Sequence, residues 1–137
     1  MSNLRAVFWD VDGTLADTEM EGHRVAFNAA FAEAELPWHW DRHLYANLLQ
    51  VPGGGQRIRA YALQQGKEID EELLSQLRSR KQHHYLERIR SGNVPWRPGV
   101  RRLVNELQFH GVQQWIVTSS GRDSVNALLE ISFMSGD

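Results

Sequence analysis

Two short apolar runs frame the chain, and between them apolar residues recur at helical spacing. Ala6-Val7-Phe8-Trp9 and Trp115-Ile116-Val117 lack a 3.6-residue repeat and predict short buried strands. Phe27, Phe31 and Ala34 recur at i, i+4, i+7, flanked by Ala26, Ala29 and Ala30. They predict an amphipathic helix that begins around Asp17-Thr18-Glu19 and stops before Pro37, which disfavours helical geometry at Leu36. After a connector at Trp38-His39-Trp40-Asp41, short helices are expected over 42–49 and 56–65, the second closed by Gly66. Asp70 is placed to cap a long helix with Leu74, Leu77, Tyr85 and Ile89 along one stripe. Glu71 and Glu72 then sit at the positive end of its dipole. Past Pro98, Val100, Leu103, Val104 and Leu107 repeat at i, i+3, i+4, i+7 until Gly111. Val125, Leu128 and Leu129 mark a last helix after the second strand. The order strand, helices, strand, helix predicts an α/β protein.

Composition narrows this only a little. The 137 residues suffice for one ordinary domain with a sizeable core. A net charge of −2 gives no sign of a nucleic-acid partner or an anionic membrane surface. The absence of cysteine excludes disulfides and thiolate metal sites. No leader is visible, because Arg5 is followed by only four apolar residues before Asp10. No apolar run approaches the roughly 20 residues of a membrane helix. A cytoplasmic protein with neither nucleic acid nor membrane as partner is expected.

Candidate chemistry concentrates at the strand ends. The first apolar run stops in Asp10-Val11-Asp12-Gly13. Side chains two apart on an extended chain leave on the same side, so the two carboxylates would converge at the carboxyl end of a strand. Open α/β sheets bind ligands there. One carboxylate can attack phosphorus and the other can carry a proton, while their like charges favour a cation such as Mg²⁺. Gly13 lets the backbone turn sharply. At the second strand end, the Thr118 hydroxyl and the amide of Ser119 could hold a phosphoryl group. Ser120 reads as a helix N-cap, with Asp123 three residues on. Pro52-Gly53-Gly54-Gly55 is either a flexible turn or a ligand-facing loop, and no Gly-Lys-Ser/Thr sequence follows it. His83 and His84, adjacent on a helix, read as surface residues.

Asp10-Val11-Asp12-Gly13-Thr14-Leu15-Ala16-Asp17-Thr18-Glu19 resembles the first motif of the haloacid-dehalogenase-like (HAD) hydrolase superfamily. The match is closest in character to the branch with β-phosphoglucomutase, phosphoglycolate phosphatase and the Calvin-cycle sugar-bisphosphate phosphatases. That resemblance implies a Rossmann-like parallel-sheet core at 1–15 and 94–137, with an inserted all-helical cap at 16–93. It implies Asp10 as nucleophile and Asp12 as general acid/base, with Mg²⁺ held by the Asp10 carboxylate and the Asp12 carbonyl. Gly13, Thr118 and Ser119 become phosphate-binding. In the cap, His23 (in His23-Arg24-Val25-Ala26-Phe27), Arg57 after the glycine run, and Lys81 in Lys81-x-x-x-Tyr85 resemble substrate-side residues.

The implied activity is Mg²⁺-dependent hydrolysis of a small phosphorylated sugar through an aspartyl-phosphate. A β-phosphoglucomutase-like mutase and a non-catalytic remnant binding phosphate or a partner are the alternatives. The core looks incomplete and the chain cut short. The family's third-motif lysine and later acids are missing, because no lysine follows Thr118 and the only later carboxylates are Asp123, Glu130 and Asp137. An apolar sheet edge is then expected to lie open, inviting a homodimer through it.

Overall fold

The computed structural model describes residues 3–134, with side chains through Ile131; Asp137 lies outside the described residues. Contacts divide the chain into two units. One comprises the residues up to Glu21 together with those from Ile89 onward, and the other is Gly22–Arg88.

The first unit is an α/β layer, the incomplete core of a Rossmann-like fold. Strand β1 (Ala6–Trp9) pairs in parallel with β2 (Gln113–Ile116), with Phe8 opposite Trp115 and Trp9 opposite Ile116. Helix α5 (Val100–Phe109) precedes β2, and α6 (Arg122–Met134) follows it. Trp9 Nε1 donates to Gln114 Oε1 at 2.9 Å, and Gln114 Nε2 donates to the Val104 carbonyl at 3.0 Å. One side chain thus ties both strands to α5. The strands are less buried than their apolar character predicts. By alternation Phe8 and Trp115 share a face, and they are 68% and 56% exposed. A two-stranded sheet packed by helices on one side leaves its other face uncovered, and Val117 is exposed as well. The strand also sits earlier than expected, so Thr118 and Ser119 follow its end instead of closing it.

The second unit is helical: α1 (Arg24–Glu33), α2 (Arg42–Leu48), α3 (Gly54–Gln64) and most of α4 (Glu71–Arg90). The stretch expected to open α1 is instead a π-helical turn, Glu19–His23. Helix α1 ends on Glu35 at φ 57°, with Leu36 N donating to the Phe31 carbonyl at 2.9 Å. That is a left-handed C-terminal cap made without glycine. Asp41 and Asp70 cap α2 and α4, accepting from Leu44 N and Leu73 N, each at 2.8 Å. The core is aromatic: Phe27, Phe31, Trp40 and Tyr45 are fully buried, and Phe31 meets Trp40 edge-on at 4.7 Å. Trp38 and Trp40, expected in a connector, are therefore core residues. Asn28 fixes Trp40 by pairing with both its amide (2.8 Å) and its carbonyl (2.9 Å). Helix α3 begins inside the glycine run, two residues before position 56. A Cβ on Gly54 would lie 3.2 Å from Phe27 Cζ, so close packing explains that glycine.

Candidate active site

The carboxyl ends of the two parallel strands bring together the acidic loop and the Thr118–Ser120 turn. Val117 N donates to the Trp9 carbonyl at 2.8 Å, which sets Asp10 beside the residues after β2. Beyond Asp10 the chain folds back on itself. Gly13 takes φ 76°, and its amide donates to the Ala16 carbonyl at 2.9 Å. Leu15 N donates to the Val11 carbonyl at 3.0 Å. Side chains of Val11, Leu15 and Ala16 are buried beneath the loop. The returning segment braces it from outside: Asp17 N donates to the Pro95 carbonyl and Arg97 N to the Leu15 carbonyl, both at 2.9 Å. A loop fixed by burial and backbone bonds holds its carboxylates without relying on their own contacts.

The two carboxylates differ sharply. Asp10 is exposed, and among the described residues its one hydrogen-bond partner is Thr14 Oγ1 at 3.5 Å, the outer limit of a hydrogen bond. Asp12 is half-buried and held by two hydroxyls. Thr18 Oγ1 donates to Oδ1 at 2.6 Å, and Ser120 Oγ donates to Oδ2. An open carboxylate suits attack on a ligand, while a clamped one suits proton transfer along a fixed direction. Thr18 is 0% exposed, so its hydroxyl has no solvent alternative. Thr118 Oγ1 accepts from Ser120 N at 3.0 Å, which folds the turn so that Ser120 reaches Asp12.

Two of these residues escaped the sequence reading. Ser120 was expected to cap the last helix, but α6 starts at Arg122, and the serine hydroxyl turns to Asp12. Thr18 carried no assigned role. The signal for both was present as hydroxyl residues next to each carboxylate-bearing or strand-ending motif, yet only the fold says which hydroxyl reaches which carboxylate.

In the helical unit, His23 and Lys81 come together. Lys81 Nζ lies 2.8 Å from His23 Nδ1, and an ammonium can only donate, so that nitrogen accepts. His23 stacks on Tyr85 at 4.0 Å, and the ammonium sits 4.8 Å above Phe27 and 5.2 Å above Tyr85. Arg57 does not join them. It is buried, donating Nε to the Leu48 carbonyl and Nη2 to the Val51 carbonyl, both at 3.0 Å, with its guanidinium over Tyr45. Its geometry is that of a clamp on the end of α2, apart from the His23–Lys81 pair with which the sequence grouped it. The cause is register: Arg57 falls on the same buried face as Ile58 and Tyr61. His83 and His84 pair with Glu87 and Glu33.

Magnesium favours hard oxygen ligands, and the exposed Asp10 carboxylate fits it in type. Among the described residues, no three of His, Asp or Glu cluster as a metal site. The carboxylate oxygens of Asp12 are already engaged by hydroxyls.

The model of the haloacid dehalogenase-like hydrolase family matches residues 4–135. The plasmid-borne protein CbbY of Cupriavidus necator is 42% identical over 132 residues, which are 93% of this chain and 52% of that protein. The crystal structure of CbbY from Rhodobacter sphaeroides in complex with phosphate superposes with a TM-score of 0.78 at 32% identity. A mutant of it in complex with xylulose-(1,5)bisphosphate gives 0.78 at 31%. Each superposition covers 93% of this chain and 56% of the other. The chain thus spans about half the length of the relatives it matches. By fold and by sequence over nearly its full extent, it belongs to the haloacid dehalogenase-like hydrolase family.

Proposed function

We propose that this chain carries the nucleophilic half of a sugar-phosphate phosphatase, with Asp10 forming an aspartyl-phosphate and Asp12 moving the protons. The observation that carries the reading is the contrast between the two carboxylates: Asp10 open at the strand end, Asp12 clamped by Thr18 and Ser120. Asp10 Oδ attacks phosphorus, and the bond to the sugar oxygen breaks as protonated Asp12 gives that oxygen its proton. Water then attacks the same phosphorus, Asp12 takes the proton of the water, and Asp10 is released with inorganic phosphate. Thr118, the Ser119 amide and the backbone at Gly13 hold phosphoryl oxygens in this scheme. Mg²⁺ bound at Asp10 would offset charge between that carboxylate and the phosphate.

The substrate is a small phosphorylated sugar, a reading supported by the phosphate and xylulose-(1,5)bisphosphate complexes of CbbY from Rhodobacter sphaeroides. Helical unit Gly22–Arg88 is the cap in this account, with His23 and Lys81 its substrate-side pair. The test is release of phenol from an aryl phosphate, with and without Mg²⁺, by size-defined protein. Turnover that needs Mg²⁺ and vanishes in Asp10→Asn is expected. Retained turnover in Asp10→Asn removes the nucleophile assignment. Binding of phosphate without turnover in wild type points to the non-catalytic reading.

A further inference from the structure

A cavity of about 260 Å³ opens inside the α/β unit, on the helix-covered side of the sheet. Trp9 and Ile116, opposite one another in the β1–β2 register, line it from the strands. Val104 of α5, Leu129 of α6, Leu15 beneath the acidic loop and Trp96 of the returning segment form the rest of its apolar wall. No charged side chain lines it, and neither Asp10 nor Asp12 does. Protein interiors are close-packed, and a dry cavity of about 150 Å³ already accommodates benzene. This one has room for a larger ring system.

The indole of Trp96 gives the cavity its chemistry. Its Nε1 is buried and makes no hydrogen bond among the described residues. A buried N–H without an acceptor forfeits the bond it would make to water. The other indole on the wall is satisfied: Trp9 Nε1 donates to Gln114 Oε1, and Gln114 Nε2 donates to the Val104 carbonyl. A buried water typically makes about three hydrogen bonds. Beyond Gln114, the one remaining polar side chain on the lining belongs to Gln108, an exposed residue. An apolar body with a single acceptor therefore complements this wall better than water does. A charged ligand would be desolvated here without a counter-charge.

The cavity also abuts the scaffold of the acidic loop. On either side of Trp96, Asp17 N donates to the Pro95 carbonyl and Arg97 N to the Leu15 carbonyl. A molecule held between Leu15 and Trp96 touches both the loop and its brace.

We propose that this cavity binds a neutral, flat, fused-ring aromatic molecule whose ring nitrogen or carbonyl oxygen accepts from Trp96 Nε1. The site stands on the geometry of the α/β unit and does not depend on phosphoryl transfer at Asp10.

Methyl and indole N–H spectra of the full chain, titrated at mildly alkaline pH with quinoline and separately with naphthalene, test it. Naphthalene has the same shape and no acceptor. Quinoline should give saturable shifts at the Leu15, Val104, Ile116 and Leu129 methyls and move the Trp96 indole N–H downfield. Naphthalene should shift the methyls without that downfield move. Trp96→Phe should weaken quinoline binding about fivefold, the effect of one neutral hydrogen bond, and naphthalene binding much less. Val104→Phe fills the cavity and should block both probes while the amide signals of β1 and β2 keep their dispersion, which separates a filled site from a lost fold. Equal weakening of the two probes in Trp96→Phe would overturn the proposal, as would quinoline binding that survives Val104→Phe. Shifts confined to Phe8, Trp115 and Val117 would put the probe on the uncovered face of the sheet and overturn it too. Methyl shifts produced by raising the protein concentration alone would put a second copy at the cavity, with the same consequence.

Discussion

Replacing Arg57 by alanine should unfold the helical unit far more readily than it alters ligand binding. The guanidinium is buried and donates to the Leu48 and Val51 carbonyls at 3.0 Å each, while lying 5.6 Å from the centre of the Tyr45 ring. Removing it strands the Val51 carbonyl, leaves the Leu48 carbonyl with Val51 N as donor at 3.0 Å, and empties the space of the stem. Hydrogen bonds to charged groups contribute roughly 1.5–3 kcal/mol each. Burying a guanidinium without a carboxylate partner offsets part of that. The net expectation is a loss of about 3 kcal/mol, several degrees in melting temperature for a chain of this size. Arg57→Met keeps the stem and should lose about half as much, the hydrogen bonds being the missing part. Urea unfolding followed by far-ultraviolet circular dichroism, at constant m, gives the comparison. A change below about 0.5 kcal/mol, combined with weakened binding of phosphorylated sugar, would refute the clamp and place Arg57 on the substrate side.

Three further outcomes follow from named contacts. Thr18→Val removes the buried donor at 2.6 Å from Asp12, and should cost about 1–2 kcal/mol and lower phosphoryl transfer; unchanged stability and rate would contradict the clamp on Asp12. Glu35→Gly relieves a non-glycine residue at φ 57° and should stabilise by about 0.5–1 kcal/mol, read from the urea midpoint; a loss would show that Glu35 has a compensating role. The hydrogen bond from Arg80, and then the charges of His84 and Arg80, hold the Glu33 carboxyl below its ordinary value of 4.5. A depressed folded-state pKa gives stability that is present above the unfolded value and is lost as pH falls through the folded one. Glu33→Gln should therefore be less stable than wild type near neutrality, with the gap closing only below about pH 4.5; a gap constant down to pH 3 would refute the pairing.

Much of the architecture was legible because it rests on local rules. Asp70 caps α4, the α5 stripe closes at Gly111, and the acidic motif sits at a strand end, each as the residue pattern demands. What escaped depends on partners distant in sequence. Nothing near Trp40 announces that Asn28 will pair with its backbone. The glycine run reads as a breaker until Phe27 is seen pressed against Gly54, where helix α3 already begins. Arg57 and Arg59 are indistinguishable by type, and only the helical phase buries one and pairs the other with Glu71. Ser120 satisfies every local criterion for a cap, yet the Asp12 carboxylate, 108 residues away in sequence, takes its hydroxyl instead. The strands appeared buried because apolar character signals burial in a full sheet, and here one face has no cover.

The central claim is that Asp10 accepts a phosphoryl group that Asp12 helps to release. Asp12→Asn retains the nucleophile but cannot take the proton from the attacking water, so with an aryl phosphate, whose leaving group needs no acid, the intermediate should accumulate. Acid quenching followed by intact-mass and peptide analysis of Asp12→Asn in Mg²⁺ measures this directly. The account predicts one added phosphoryl group, located on Asp10 and absent from the Asp10→Asn/Asp12→Asn double variant. No adduct on Asp10, or an adduct that persists in the double variant, would contradict it.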